Sequence, residues 1–245
     1  MKNSIFLGLD GLLNWSITRH KYILPSFSIL QIILAVAMVY GLALFIYDID
    51  EISAIYLSSG TIVMGIISVG CVLCAQIVSE TKQNGIFDYQ RSLPVSRFSI
   101  ILSDLIIWGS AALPGIIISI IAVISRFGIV IHISITSIFI IIISLATMIL
   151  IGFTVAYYLK PNVVGMVTQL IMIISLLFSP ITFPSDRLPN WTFAIYNIFP
   201  FVPISNLIRA SLFNFGVFNF ANLFNVIGWF VICLFLSVYS LSKKQ

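Results

Sequence analysis

The sequence predicts an all-α membrane protein: six transmembrane helices, an N-terminal interfacial helix, a short cytoplasmic helix between spans two and three, and a re-entrant outer hairpin between spans five and six. Three observations predict it. Only 8% of the 245 residues are charged and 60% are hydrophobic, against about 25% charged in soluble domains, which leaves too little polar surface to cover a globule in water. The mean hydropathy of +1.14 agrees. The charges fall in clusters separated by long charge-free intervals, and runs such as Ile138-Phe139-Ile140-Ile141-Ile142-Ile143 are apolar on every face, unlike the alternating strands of a transmembrane barrel.

A charge at the bilayer centre costs about 2.5–3.5 kcal/mol on insertion scales, so the uncharged intervals locate the spans. Residues 22–47 and 52–79 are the first two. Residues 105–125 make the third, 133–159 hold the fourth, 161–181 the fifth and 218–242 the sixth. Ahead of them, residues 1–21 carry Lys2, Asp10, Arg19 and Lys21, too polar for a signal-peptide core. Ile5, Leu9, Leu12, Leu13, Trp15 and Ile17 give that segment the apolar side of a helix lying on the membrane surface.

Orientation follows from the bases. Lys2, Arg19, Lys21, Lys82, Arg91, Arg97, Lys160, Lys243 and Lys244 fall on one side of a six-span chain, against Arg126, Arg187 and Arg209 on the other. The richer side is cytoplasmic. Both termini are then inside, and the chain 1–245 is a single transmembrane domain of a multi-pass cell-membrane protein. A pI near 9.0 records this topology and does not call for nucleic acid.

Between spans two and three, the loop 80–104 mixes acid, base and apolar groups. Asn84-Gly85 ends the extension of span two, and Pro94 with Ser96 starts the chain into span three. Ile86, Phe87, Tyr89 and Leu93 beside Asp88 and Arg91 compose a short helix that either docks in a partner's groove or lies on lipid.

The outer segment 179–219 holds Pro180, Pro184, Pro189, Pro200 and Pro203, five of the nine prolines, which forbid a continuous helix. It nevertheless stays apolar and aromatic. Non-helical backbone at membrane depth must be buried in protein or line a cavity, so short helices that dip into the outer leaflet are expected. Trp191 and Tyr196 suit the interface, and Arg209 either snorkels to headgroups or touches substrate.

These two segments carry a resemblance. Glu80 and Gly85, followed by Leu93-Pro94-Val95-Ser96-Arg97 ahead of span three, resemble the cytoplasmic loop of ABC-2 type transporter permeases. Phe178-Ser-Pro180-Ile-Thr-Phe-Pro184, Leu188-Pro189-Asn-Trp191, Asn197-Ile-Phe-Pro200 and Arg209 resemble that family's outer hairpin. Ile86 stands where family members often carry Thr. The resemblance implies the membrane subunit of an ATP-driven exporter: two six-helix halves, homo- or heterodimeric, around a pathway powered by separate ATPase chains. It also implies that residues 80–97 hold a coupling helix, with Glu80, Gly85, Ile86, Phe87, Asp88, Tyr89, Arg91, Pro94 and Arg97 contacting the ATPase. Pro180, Pro184, Pro189, Trp191, Pro200 and Arg209 would form an outer gate. The sequence has no G-x-x-x-x-G-K-[ST] phosphate loop, so ATP and Mg are expected on the partner, with no cofactor or metal held by this chain. Drug, lipid-linked and other amphiphilic cargoes all fit spans with so few charges.

Other residues read more simply. Cys71-x-x-Cys74 sits in an apolar span, without the basic surroundings that lower a thiol pKa, and reads as packing. Cys71, Ala75 and Ser79 form a small-residue face toward another span or a second protomer. Pro114 with Gly109 and Gly115 is expected to bend span three. Gln31, Gln76 and Gln169 either bond across helices or line a pathway. Membrane-embedded catalysis and proton-coupled transport need acids, bases or nucleophiles inside the spans. His20 and His132 read as interfacial and Asp104 as a helix-start acid at the cytoplasmic end, so neither alternative finds its residues. A membrane scaffold without transport is a third alternative.

Overall fold

In the computed structural model, residues 8–44, 50–184, 189 and 196–242 are described, and all their regular structure is helical. Trp191, like Lys2, Ile5, Asp48, Arg187, Lys243 and Lys244, lies outside them.

Helix α1, Leu9–His20, carries Asp10 in its first turn and Arg19 in its last, matching both ends of the helix dipole. Leu12, Ser16 and His20 are buried, one face at intervals of four that packs on α5 (Arg97–Phe127). Helix α2, Ile23–Leu44, buries only the stripe Gln31, Ala35, Val39 and Ala43, which is all a helix needs when its other faces meet lipid. The central element is α3, Glu51–Gln83, 33 residues, or roughly 50 Å at 1.5 Å per residue. It outruns a hydrocarbon core of about 30 Å, and 83% of its most apolar window is buried.

Midway, α3 widens into a π-helical segment, Ser68–Leu73, where α6 (Ile135–Tyr158) crosses it. The two backbones meet through Gly70 and Gly152, and a Cβ on Gly152 would collide with the Gly70 carbonyl. Gln31 donates to Ser68 Oγ at 3.3 Å, and Cys71 Sγ lies 3.7 Å from the Met148 carbonyl. Gln31 is therefore interhelical glue. The Cys71, Ala75 and Ser79 face is buried, and its Cys71 contact is with α6 of the same chain.

After Gln83 the chain turns at Gly85, φ +69°, into the seven-residue α4, Ile86–Ser92. The Ser96 side chain accepts from Ser99 N at 3.0 Å and starts α5, which continues unbroken through Pro114 to Phe127. Ser134 and Ser137 form a capping box at the start of α6. Helix α7, Pro161–Leu177, has 17 residues, about 25 Å. The fifth interval was expected to run to 181; Pro180 disfavours helix at Ser179, and the helix stops at Leu177. Five helices, α2, α3, α5, α6 and α9 (Phe220–Ser242), are long and apolar enough to cross a membrane, and α7 is the shorter apolar helix. Helix α8, Phe201–Leu212, of 12 residues, is the expected short helix of the proline-rich segment.

The bundle has two distinct ends. At one, Lys82 Nζ donates to the Tyr157 and Leu159 carbonyls at 3.0 and 3.3 Å, a cation capping the C-terminus of α6. Arg91 donates to the Ser240 carbonyl near the end of α9 at 2.5 Å. At the other, His132 N donates to the Leu212 carbonyl and Ser137 Oγ to the Ser211 carbonyl, both at 2.8 Å. Asn225 Nδ2 and Trp229 Nε1 bind the Asn197 and Ile198 carbonyls there. Tyr56 and Gln83, at opposite ends of α3, are roughly 40 Å apart along its axis.

Candidate functional site

The first candidate surface surrounds α4. Phe87 and Gln90, three residues apart, are its buried side chains. Phe87 packs on Tyr157 of α6, ring centroids 5.2 Å apart, and Arg91 lies over the Phe87 ring at 4.5 Å while pairing with Asp88 at 3.7 Å. Arg97 Nη2 donates to the Arg91 carbonyl at 2.6 Å. Phe87, expected among the exposed apolar groups, is thus turned into the core, because a seven-residue helix holds its place only by burying its largest apolar side chain. Arg91 and Arg97 are half-buried anchors of the loop. Glu80, Gly85, Asp88, Tyr89 and Pro94 are exposed and Ile86 is half-buried. Tyr89 also meets Trp15 of α1, centroids 6.2 Å apart, so α1 and α4 share a flank. A cleft of about 330 Å³ lies there, lined by Gly11, Leu12, Trp15, Tyr89, Leu93 and Val95.

Behind α4 sits a polar cluster. Asp104 is buried two turns into α5, and His20 stands edge-on to Trp108, centroids 5.0 Å apart, with Nδ1 2.9 Å from the Ser16 carbonyl. Arg19 donates to Thr81 Oγ1 at 2.8 Å. Burial lowers the Arg19 pKa, and the charges of Asp104 and Glu80 oppose that shift. His20 and Asp104 are both buried in protein: α1 packs against α5, turning His20 inward and covering Asp104, which stands two turns beyond the helix start. Charges near a span end signal their partnership only once α1 is known to pack there. The space among them is about 10 Å³, room for no more than one water, so this cluster joins α1 to α3 and α5.

Burial, then the neighbouring Arg19 charge, lowers the His20 pKa from 6.5 to about 4. A group with a depressed folded pKa contributes stability that is complete above its unfolded pKa and is lost as pH falls through the folded one. Melting temperature should therefore decline between about pH 6.5 and 4 more steeply in the wild type than in His20→Gln. Parallel profiles would contradict the neutral, buried histidine.

The second surface is at the α8 end. Pro180 and Pro200 are buried, Pro184 is half-buried and Pro189 exposed. Arg209, 3% exposed, lies over the Tyr56 ring at 4.0 Å and donates to the Pro180 carbonyl at 3.2 Å. It does not snorkel; it ties α8 to α3 and to the Pro180 turn. Tyr56 had no sequence signal beyond its aromaticity. Between these ends, an apolar cleft of about 460 Å³ lies between α5 and α6, lined by Leu105, Gly109, Phe139, Ala146 and Leu145, with Phe230 of α9. Gln169 is exposed midway along α7.

No curated protein matches the chain. The family model of the ABC-2 type transporter matches residues 13–213, from within α1 to just past α8, and so takes in both the α4 loop and the proline-rich segment with α8. A multi-pass membrane chain matched over this length belongs to the ABC-2 type transporter family and is the membrane permease subunit of a transporter.

Proposed function

We propose that this permease is half of an ATP-driven exporter, paired with a second permease protomer and powered by ATPase subunits on separate chains, which hold the ATP and Mg. The observation that carries the reading is the construction of α4. It is a short helix at the end of the longest and most buried helix, locked inward by Phe87 and Arg91 and offering Asp88 and Tyr89 outward. A push on such a helix is passed to α3 through Gly85, to α6 through Tyr157 and to α1 through Tyr89. Rigid elements moved together in this way are how closure of an ATPase pair would reach the spans.

In this reading the α4 end is cytoplasmic. Arg19, Lys82, Arg91 and Arg97 make their bonds at that end, with Lys21 and Lys160 close by in the chain, as expected for an inside face. Both termini are then inside, α1 lies at the membrane surface, α7 completes six crossings by local thinning or tilt of its neighbours, and the α8 hairpin forms the outer gate. Gln169, a polar group on a lipid-level face, supports a protomer contact through α7. The apolar cleft beside α5 and α6 supports a cargo with a hydrophobic part: a drug, a lipid-linked molecule or another amphiphile.

Co-expression with a phosphate-loop ATPase encoded beside this chain tests the reading. The ATPase should co-purify with the wild-type permease and be retained at least tenfold less by an Asp88→Lys/Tyr89→Ala variant. Retention unchanged by the variant would remove α4 as the docking helix.

A further inference from the structure

Arg209 is a buried cation whose hydrogen-bond partners are all neutral. Nε donates to the Ser205 carbonyl at 3.3 Å, and Nη2 is shared among the Pro180 carbonyl at 3.2 Å, Asn206 Oδ1 at 3.2 Å and Ser205 Oγ at 2.5 Å. The Tyr56 side chain is a further neutral partner. A buried charge without an opposite charge is expensive, and a guanidinium presents its N–H groups in a planar fork that suits an oxyanion. Beside it opens a cavity of about 240 Å³, lined by Arg209, Asn206, Asn219, Asn222, Tyr56 and Gly216, with no acid in its wall among the described residues. A second space of about 80 Å³ flanks the same guanidinium toward Pro180 and Asn197.

We infer that this cavity, at the end of the bundle opposite α4, binds the phosphate group of an amphiphile through Arg209 and the surrounding asparagine amides. The size selects a headgroup, since drug-sized sites run to about 300–1,000 Å³. The chemistry selects an anion, because three asparagine amides supply neutral N–H donors around a single cation. Val217, on the cavity wall and 89% exposed, offers an apolar flank for the tail. The inference deepens the outer-gate reading: a phosphate between α8 and α3 would hold the gate shut with charge-assisted bonds, and its departure would loosen it.

The test uses the full-length chain in neutral detergent and reads its melting temperature with added phosphatidylglycerol, with diacylglycerol of the same acyl chains, and with inorganic phosphate. Phosphatidylglycerol should raise the melting temperature by several degrees and diacylglycerol should not, with the rise lost in Arg209→Gln. A rise with inorganic phosphate as well identifies an anion site open to water; a rise with the lipid alone identifies a headgroup site fed from the bilayer. Equal responses to phosphatidylglycerol and diacylglycerol, or an equal rise in Arg209→Gln, would overturn the site. If Arg209→Gln fails to fold, Asn222→Phe decides the matter: it fills the cavity and leaves the Arg209 bonds in place, so the rise should vanish, and a retained rise would overturn the site. No ATPase enters the assay, so a failure here with normal ATPase co-purification leaves the exporter reading standing.

Discussion

Gly152→Val is expected to remove the chain from the folded membrane fraction. Gly152 of α6 meets Gly70 of α3 inside the π-helical segment, where a Cβ has no room because it would collide with the Gly70 carbonyl. The carbonyl is backbone in the most buried helix and cannot swing aside as a side-chain tip would. Overpacking a close-fitted interior costs about 1–3 kcal/mol and sometimes more, and here the clash separates two spans whose van der Waals contact is the main attraction available in lipid. Gly41→Ala on α2, with nothing within 4 Å of the added Cβ, should be neutral or slightly stabilising. Fluorescence-detected size exclusion distinguishes the two. A monodisperse Gly152→Val peak at wild-type yield would contradict the crossing.

Phe87→Ala should destabilise the permease by about 3–5 kcal/mol, the usual cost of truncating a buried phenylalanine. Phe87 is 5% exposed, between Tyr157 and Arg91. Its loss leaves Arg91 without the ring beneath it and α4 without an apolar anchor, so the helix should detach and its amides should exchange freely with solvent. Tyr89→Ala, 55% exposed on the same helix, should change stability by no more than about 0.5 kcal/mol. Hydrogen exchange over residues 86–92 reads both variants. Equal protection in wild type and Phe87→Ala would show that something other than Phe87 holds α4.

These two substitutions mark where the sequence could be read and where it could not. The spans were legible because charge is excluded from hydrocarbon: the interval 52–79 became Glu51–Gln83 and 133–159 became Ile135–Tyr158. Gly85 and Pro94 bracketed α4 because both act through backbone geometry that any context must respect. Side-chain direction was not legible. Within seven residues, Phe87 and Tyr89 are equally plausible contacts until the position of α6 decides which one turns inward. The same holds for His20 and Asp104, whose burial depends on α1 folding against α5, and for Arg209, whose ring partner Tyr56 is 153 residues away in the chain. The length of α7 was overestimated because hydropathy continues past Leu177 while Pro180 ends the helix.

The central claim is that α4 is where a separate ATPase engages this permease, and one measurement meets it directly. A cysteine placed at Asp88, in a chain whose buried Cys71, Cys74 and Cys233 are replaced by alanine, would be cross-linked to a co-expressed phosphate-loop ATPase with a short bismaleimide. The account predicts a permease–ATPase adduct with cysteine at Asp88 and none with cysteine at Val217, at the far end of the bundle. Adduct at Val217 and none at Asp88 would contradict it.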